Sequence, residues 1–293
     1  MRVGLATCSA LADGYPDDHL LADALVAAGA SPRFAVWDDR GVEWSEFDLV
    51  VVRSTWDYTS ARDAFLAWSE GVGDRLRNSP GVLRWNSDKH YLAELASEGI
   101  EVVPTTFVDP DEPLPALEGE VVVKPAVSAG GRDTGRFSPP AHAGAGRLIA
   151  RLQEEGRTTM VQPYLESVER EGETSIVSIA GSVSHVLRKQ AVLRPDEVAP
   201  TRDDGIGAAE VMYDEELVVA GSASPAQMRL ANDLIGWLAA RFGEPPLYAR
   251  VDMLGDSAGE PVLVELEVVE PCLYLATSDA APARLAAAIL DSR

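Results

Sequence analysis

Residues 260–275, EPVLVELEVVEPCLYL, read as a core strand interrupted by acid. Glu265 and Glu267 stand two positions apart, so in an extended chain both carboxylates project from one face. An apolar strand tolerates such a pair only if something positive offsets their desolvation. The preceding stretch YARVDML sets Asp252 among apolar residues, and the turn GDSAGE joins the two runs. Paired as a hairpin, they bring Asp252 opposite Glu265 and Glu267. Three carboxylates without a convergent His or Cys suit Mg2+ or Mn2+ rather than zinc. The alternative is that all three lie on the solvated face of an edge strand.

Magnesium keeps part of its coordination shell for substrate oxygens, which raises the question of where phosphates would sit. The stretch 121–135, VVVKPAVSAGGRDTG, ends a strand with Lys124 and continues into a flexible loop. Backbone N–H groups around Ser128, Gly130 and Gly131 can wrap phosphate oxygens there. No Gly-Lys-Ser/Thr follows, so the loop is not a P-loop, and TCSALADG lacks the dinucleotide fingerprint of a nicotinamide dehydrogenase. On its own the loop also reads as an ordinary hairpin turn.

The 293-residue chain is 46% hydrophobic, enough for a packed core. Its formal net charge of −22, from 47 acidic and 25 basic residues, disfavours nucleic acid and anionic membranes as partners. The two cysteines, Cys8 and Cys272, form no disulfide framework and fit a reducing cytoplasm. The start MRVGLATCSALADG carries no signal-like apolar region, and no run reaches the roughly 18 apolar residues of a membrane span.

Residues 1–85 alternate strand and helix as an α/β, Rossmann-like parallel-sheet domain. RVGLAT, RFAVW and DLVVVRST are its strands, and Asp17 and Asp18 are candidate caps for a helix ending at Gly29. RNSPGVLRWNSDK is punctuated like an interdomain connection. Residues 86–160 read as a small α+β lid and 161–293 as a mainly antiparallel α+β domain. In the latter, TSIVSIAGSVSHVLRKQAVL forms a hairpin around Gly181, and 195–210 is expected to be a mobile loop.

These pieces, SDK, VVVKP with its glycine-rich loop, MVQPYLE, GETS, RVDML and VELEVVEP, occur in an order resembling the ATP-grasp ligases. That family includes D-alanine:D-alanine ligase and glutathione synthetase. The resemblance implies an ATP-grasp fold, with Lys89 and Lys124 contacting nucleotide phosphates beneath a flap over 128–134. It implies a hinge at Gln162, Pro163, Tyr164 and Leu165 reading adenine, Glu173 on the ribose, and Arg250 beside the transferred phosphoryl group. Asp252, Glu265 and Glu267 match the metal ligands, although many relatives carry Asn at the position of Glu267. It further implies a carboxylate activated by ATP as an acylphosphate and attacked by an amine, and it suggests a homodimer.

For the small amino-acid substrate, the strand end RSTWDY offers Arg53, Ser54, Thr55, Trp56 and Asp57: a carboxylate clamp, hydroxyls, an aromatic wall and an acid. The other reading is a capping turn with Trp56 in the core. Cys8 is a small buried residue or a pocket wall. Arg188 is a candidate carboxylate or acylphosphate clamp, or else a surface residue. VRSTWDY and LRWNSDK add a resemblance to the O-ureido-serine cyclo-ligases of cycloserine biosynthesis. In that reaction a ureido nitrogen of the activated molecule closes the ring. An intermolecular amino-acid ligase and an inactive nucleotide-binding regulator remain the alternatives.

Overall fold

β1 (Arg2–Thr7), β2 (Ser31–Val36), β3 (Leu49–Val52) and β4 (Leu76–Arg77) pair in parallel in the order β2-β1-β3-β4. These bounds come from a computed structural model, which describes residues 1–202 and 205–292. Leu49, Val50, Val51 and Val52 are all buried, as a strand covered on both faces requires. α1 (Pro16–Ala27) and α2 (Arg62–Val72) flank this sheet.

Asp17 and Asp18 do not cap α1. Tyr15 precedes the helix without a side-chain cap, and both acids lie within its first turn and are buried. Asp18 instead accepts from Arg53, and Asp17 from the backbone N–H of Ala276. The expected connection at 77–89 contains a helix, α3 (Pro80–Asn86), followed by α4 (Tyr91–Ser97). Pro80 sits in its first turn, where a missing N–H costs nothing.

A second sheet comprises β5 (Thr106–Val108), β6 (Val121–Pro125), β7 (Gly135–Phe137) and β8 (Thr159–Pro163), backed by α5 (His142–Glu154). All of β8 belongs to it, so a boundary after residue 160 would cut a strand; we place the proposed division after 163. The third sheet follows α6 (Ser167–Glu171) and contains β9 (Glu173–Ile179) and β10 (Ser182–Lys189), the hairpin expected around Gly181. Between β10 and the rest of this sheet, β11 (Glu197–Val198) returns to pair with β7.

Of the segment 195–210, residues 203 and 204 lie outside the described residues. Elsewhere in it, Ala209 N donates to Gly130 O, and Ile206 and Ala208 pack with the first sheet's core. The third sheet is completed by β12 (Val218–Ala220), β13 (Tyr248–Gly255) and β14 (Pro261–Glu267), in the order β12-β10-β9-β13-β14. α7 (Pro225–Phe242) covers one of its faces and begins with a capping box between Ser224 and Gln227. α8 (Ala281–Asp291) packs on α1, joining the chain's two ends. Among the described residues no helix is long and apolar enough to cross a membrane.

Candidate active site

The register of the third sheet writes a row of charge across one face. Antiparallel pairing sets Asp252 opposite Glu265 and Arg250 opposite Glu267, with Ser175 and Val177 their neighbours on β9. Lys189 lies opposite Glu173 on the same face. Residues of the other parity, Ile176, Val251, Met253 and Leu266, bury against α7. Although β14 is an edge strand, Glu265 is only 24% exposed, and its carboxylate faces a cavity of about 330 Å³ rather than bulk water.

The ionic contacts are specific. Lys89 Nζ stands 3.2 Å from one oxygen of Glu265, and Lys124 Nζ stands 3.2 Å from the other. Lys89 also donates to Ser128 O at 2.8 Å, tying the flap to the row. Arg250 bridges two acids, donating to Asp252 at 3.0 Å and to Glu267. Lys189 Nζ lies 2.8 Å from Glu173 and 2.9 Å from Asp252.

Among the described residues no three His, Cys, Asp or Glu side chains stand close enough to hold a metal; each predicted ligand is paired with a cation. Burial raises the Glu265 carboxyl, but the two lysines outweigh it and bring the group down to about 2. Burial likewise opposes ionisation of Asp252, and Arg250 with Lys189 holds it well below the ordinary carboxylate range. Glu267 goes the other way, pushed up to about 7 by burial with Asp252 and Glu265 adding to the rise. Glu270, which sequence reasoning missed, rises to about 8 by burial and the nearby charge of Glu267.

The cavity also gathers Ser128, Gly130, Gly131, Gln162, Pro163, Tyr164, Leu165 and Glu173. Gly130 holds φ +61°, and a Cβ there would stand 2.6 Å from that of Ala208, so the flap approaches its neighbour as only glycine allows. At the hinge, Tyr164 N donates to Glu120 O, while the ring lies beneath Arg136 at 3.6 Å. The Leu165 N–H makes no hydrogen bond among the described residues, leaving a free donor on the cavity wall.

Asp133, at the flap's end, joins Arg151 and Arg157 at 2.7 Å each. Burial opposes ionisation there, but the two arginines hold the group below its usual value. A depressed carboxyl contributes stability above its unfolded pKa and loses it as pH falls through the folded value. Asp133→Asn, which keeps the left-handed backbone accessible, is therefore expected to cost about 1 kcal/mol at pH 7 after discounting for solvent screening. Thermal melts across pH check this: the wild-type advantage is full above about pH 4 and shrinks progressively below it as pH falls through the lower folded value, and a pH-independent difference refutes the ion-pair account.

Several expected residues lie elsewhere. Arg188 falls on the wrong parity: it points to the α7 side and donates to Thr174 Oγ1 and Ser222 O. Lys189, one residue on, is the basic side chain of β10 that reaches the cavity. Cys8, Ser54 and Thr55 are essentially fully buried, and Asp57 accepts from the Trp37 indole at 2.8 Å; none lines the cavity. Arg53 is 2% exposed and makes a 2.9 Å ion pair with Asp18, so it cannot clamp a ligand. Of the RSTWD group only Trp56 reaches the cavity wall.

What Arg53 and Trp56 do instead is hold the chain leaving β14. Six consecutive carbonyls, at residues 268–273, accept from Asn78, Tyr248, Trp56, Arg53, Arg250 and His185 respectively, at 2.8–3.1 Å. An irregular buried segment must satisfy its backbone in this way. Beyond it, Tyr274 adopts φ +49°, ψ +48° and places its ring in the cavity with Arg250 near its face.

Comparison with known proteins accords with this geometry. Residues 3–78 match the family described as D-cycloserine synthetase DcsG, N-terminal domain. The cycloserine biosynthesis protein DcsG of Streptomyces lavendulae is 34% identical over 285 residues, 92% of each chain. The crystal structure of D-cycloserine synthetase DcsG superposes with a TM-score of 0.86 at 30% identity, covering 100% of both chains. D-Alanine–D-alanine ligase from Bacillus anthracis complexed with ATP shares the fold, with a TM-score of 0.64 at 14% identity over 100% of this chain and 97% of that one. The fold is that of the ATP-grasp ligases, enzymes that use ATP, typically with a divalent metal, to form carbon–nitrogen bonds. This chain belongs to the D-cycloserine synthetase DcsG family.

Proposed function

We propose that the enzyme activates the carboxylate of O-ureido-D-serine with ATP and closes it on its own ureido nitrogen, giving D-cycloserine, ADP and phosphate. The observation that carries this reading is the double grip of Lys89 and Lys124 on Glu265. Two ammonium groups share one carboxylate beside a glycine-rich flap, and triphosphate oxygens would give them stronger partners.

Lys89, Lys124 and the N–H groups around Ser128, Gly130 and Gly131 then hold the phosphates. Backbone groups of Gln162, Pro163, Tyr164 and Leu165 meet the adenine edge, and Glu173 meets the ribose. Asp252, Glu265 and Glu267 carry hard oxygen donors on one face; paired with lysine and arginine they do not stand close enough together, and they would converge on a dication only by exchanging those partners for it. Mg2+ (or Mn2+) held there would neutralise charge on the triphosphate. Arg250 and Lys124 stabilise the transferred phosphoryl group electrostatically.

In the chemical steps, a carboxylate oxygen attacks the γ-phosphorus and ADP leaves. The ureido nitrogen then attacks the acyl carbon, the C–N bond forms and phosphate departs; water takes the carbamoyl group from that nitrogen as carbamic acid, which breaks down to carbon dioxide and ammonia. The polypeptide positions the reactants and supplies no covalent nucleophile. Both cysteines are free thiols, in keeping with a cytoplasmic enzyme.

Purified protein given ATP, Mg2+ and O-ureido-D-serine alone should release ADP and form cycloserine. ADP release that requires an added amine would instead make it an intermolecular amino-acid ligase, and no ADP release with any small amino acid would remove the reading altogether.

A further inference from the structure

The cavity's charges do not balance. Six carboxylates (Glu173, Asp252, Glu265, Glu267, Glu270 and Asp214) line it with four cations (Lys89, Lys124, Lys189 and Arg250); of the acids, Asp214 is exposed and accepts from the backbone N–H of Glu216. The first four acids each hold a cation. Glu270 makes no side-chain hydrogen bond or ion pair among the described residues, although its own carbonyl accepts from Trp56 at 3.0 Å. Its backbone cannot swing away, since Tyr248 holds the carbonyl before it and Arg53 the carbonyl after it. Trp56, which holds Glu270's own carbonyl, lines the cavity with Tyr15 against its ring at 4.9 Å, and Tyr58 and Tyr274 line the same cavity.

A partly buried carboxylate without an ion-pair partner is costly unless a ligand supplies the positive charge. The other acids near the amino-terminal strands do not compete for that role. Asp18 is spent on Arg53, Asp57 is bonded to Trp37, and neither lines the cavity. Lys124 and Arg250, the cations that hold Glu265 and Glu267, are where an activated carboxylate must lie. A small zwitterion fits this polarity in one orientation, carboxylate toward the cations and ammonium toward the lone acid. We propose that Glu270 receives the α-ammonium group of the substrate and thereby selects amino acids over plain carboxylic acids. This rests on the amino-acid ligase reading above and assigns the residue that recognises the amine.

The test pairs O-ureido-D-serine, D-serine and D-alanine with their des-amino counterparts, 3-(ureidooxy)propanoate and the rest, using ADP release as readout. Wild-type enzyme should prefer each amino acid by on the order of 100-fold in kcat/KM. Glu270→Gln, which keeps shape and loses charge, should raise the amino-acid KM by a similar factor, leave the ATP KM unchanged, and erase the preference. Glu270→Asp should retain part of it. A Glu270→Gln enzyme that still discriminates against the des-amino acids overturns the assignment while leaving the proposed function standing. So does a wild-type enzyme that accepts both alike, which requires no variant to fold. No ADP from any amino acid with wild-type enzyme overturns the function and the assignment together.

Discussion

Glu265→Gln should lower kcat/KM by about 1000-fold or more while leaving the fold intact, in line with loss of a central electrostatic element of a phosphoryl-transfer site. The amide keeps the shape of the side chain but removes the charge between Lys89 and Lys124, which sit 3.2 Å from its two oxygens. Two ammonium groups are then left facing each other, and the proposed metal loses a ligand. Steady-state ADP release measures the loss, and an unchanged circular dichroism spectrum separates it from unfolding. Turnover within a few-fold of wild type would remove Glu265 from the site.

Arg53→Met should have the largest effect on stability, about 3–5 kcal/mol, because it strands the Asp18 carboxylate in a buried position. It also frees the Pro271 carbonyl, one of the six that anchor the segment after β14. Combining it with Asp18→Asn should recover much of the loss, since the neutral amide no longer needs a counter-charge; chemical denaturation of the four-protein cycle measures that coupling. Normal stability in Arg53→Met together with a large rise in amino-acid KM would restore Arg53 as a substrate clamp.

The contrast between Arg53 and Glu265 shows what was legible in the sequence. Acids at 265 and 267 were readable as one face because strand periodicity is two, whereas Asp252 comes opposite Glu265 only through a register shift between Asp252 and Met253 that counting across the turn does not reveal. The same parity, applied to β10, excludes Arg188 and selects Lys189, but only once the register against β9 is known: Arg188 pairs with Thr174, whose hydroxyl faces α7 and bonds Gln227. RSTWD looked like a binding kit because its chemistry suits a zwitterion. Nothing local revealed that Arg53 and Trp56 spend their donors on carbonyls more than 200 residues away. Their partner segment, VVEPCL, carries no regular hydrogen-bonding pattern of its own, which is why it needs them. Glu270 was overlooked for the same reason, being outside the strand and beyond the period that exposed its neighbours.

The central claim is that the enzyme activates the substrate's own carboxylate as an acylphosphate and forms the new C–N bond within one molecule. O-Ureido-D-serine labelled with 18O in both carboxylate oxygens tests this in a single turnover with ATP and Mg2+. The account predicts one 18O in the released phosphate and one retained in the cycloserine ring carbonyl, with no second amine present. Phosphate released without 18O would mean that water, not the carboxylate, took the phosphoryl group, and would contradict the account.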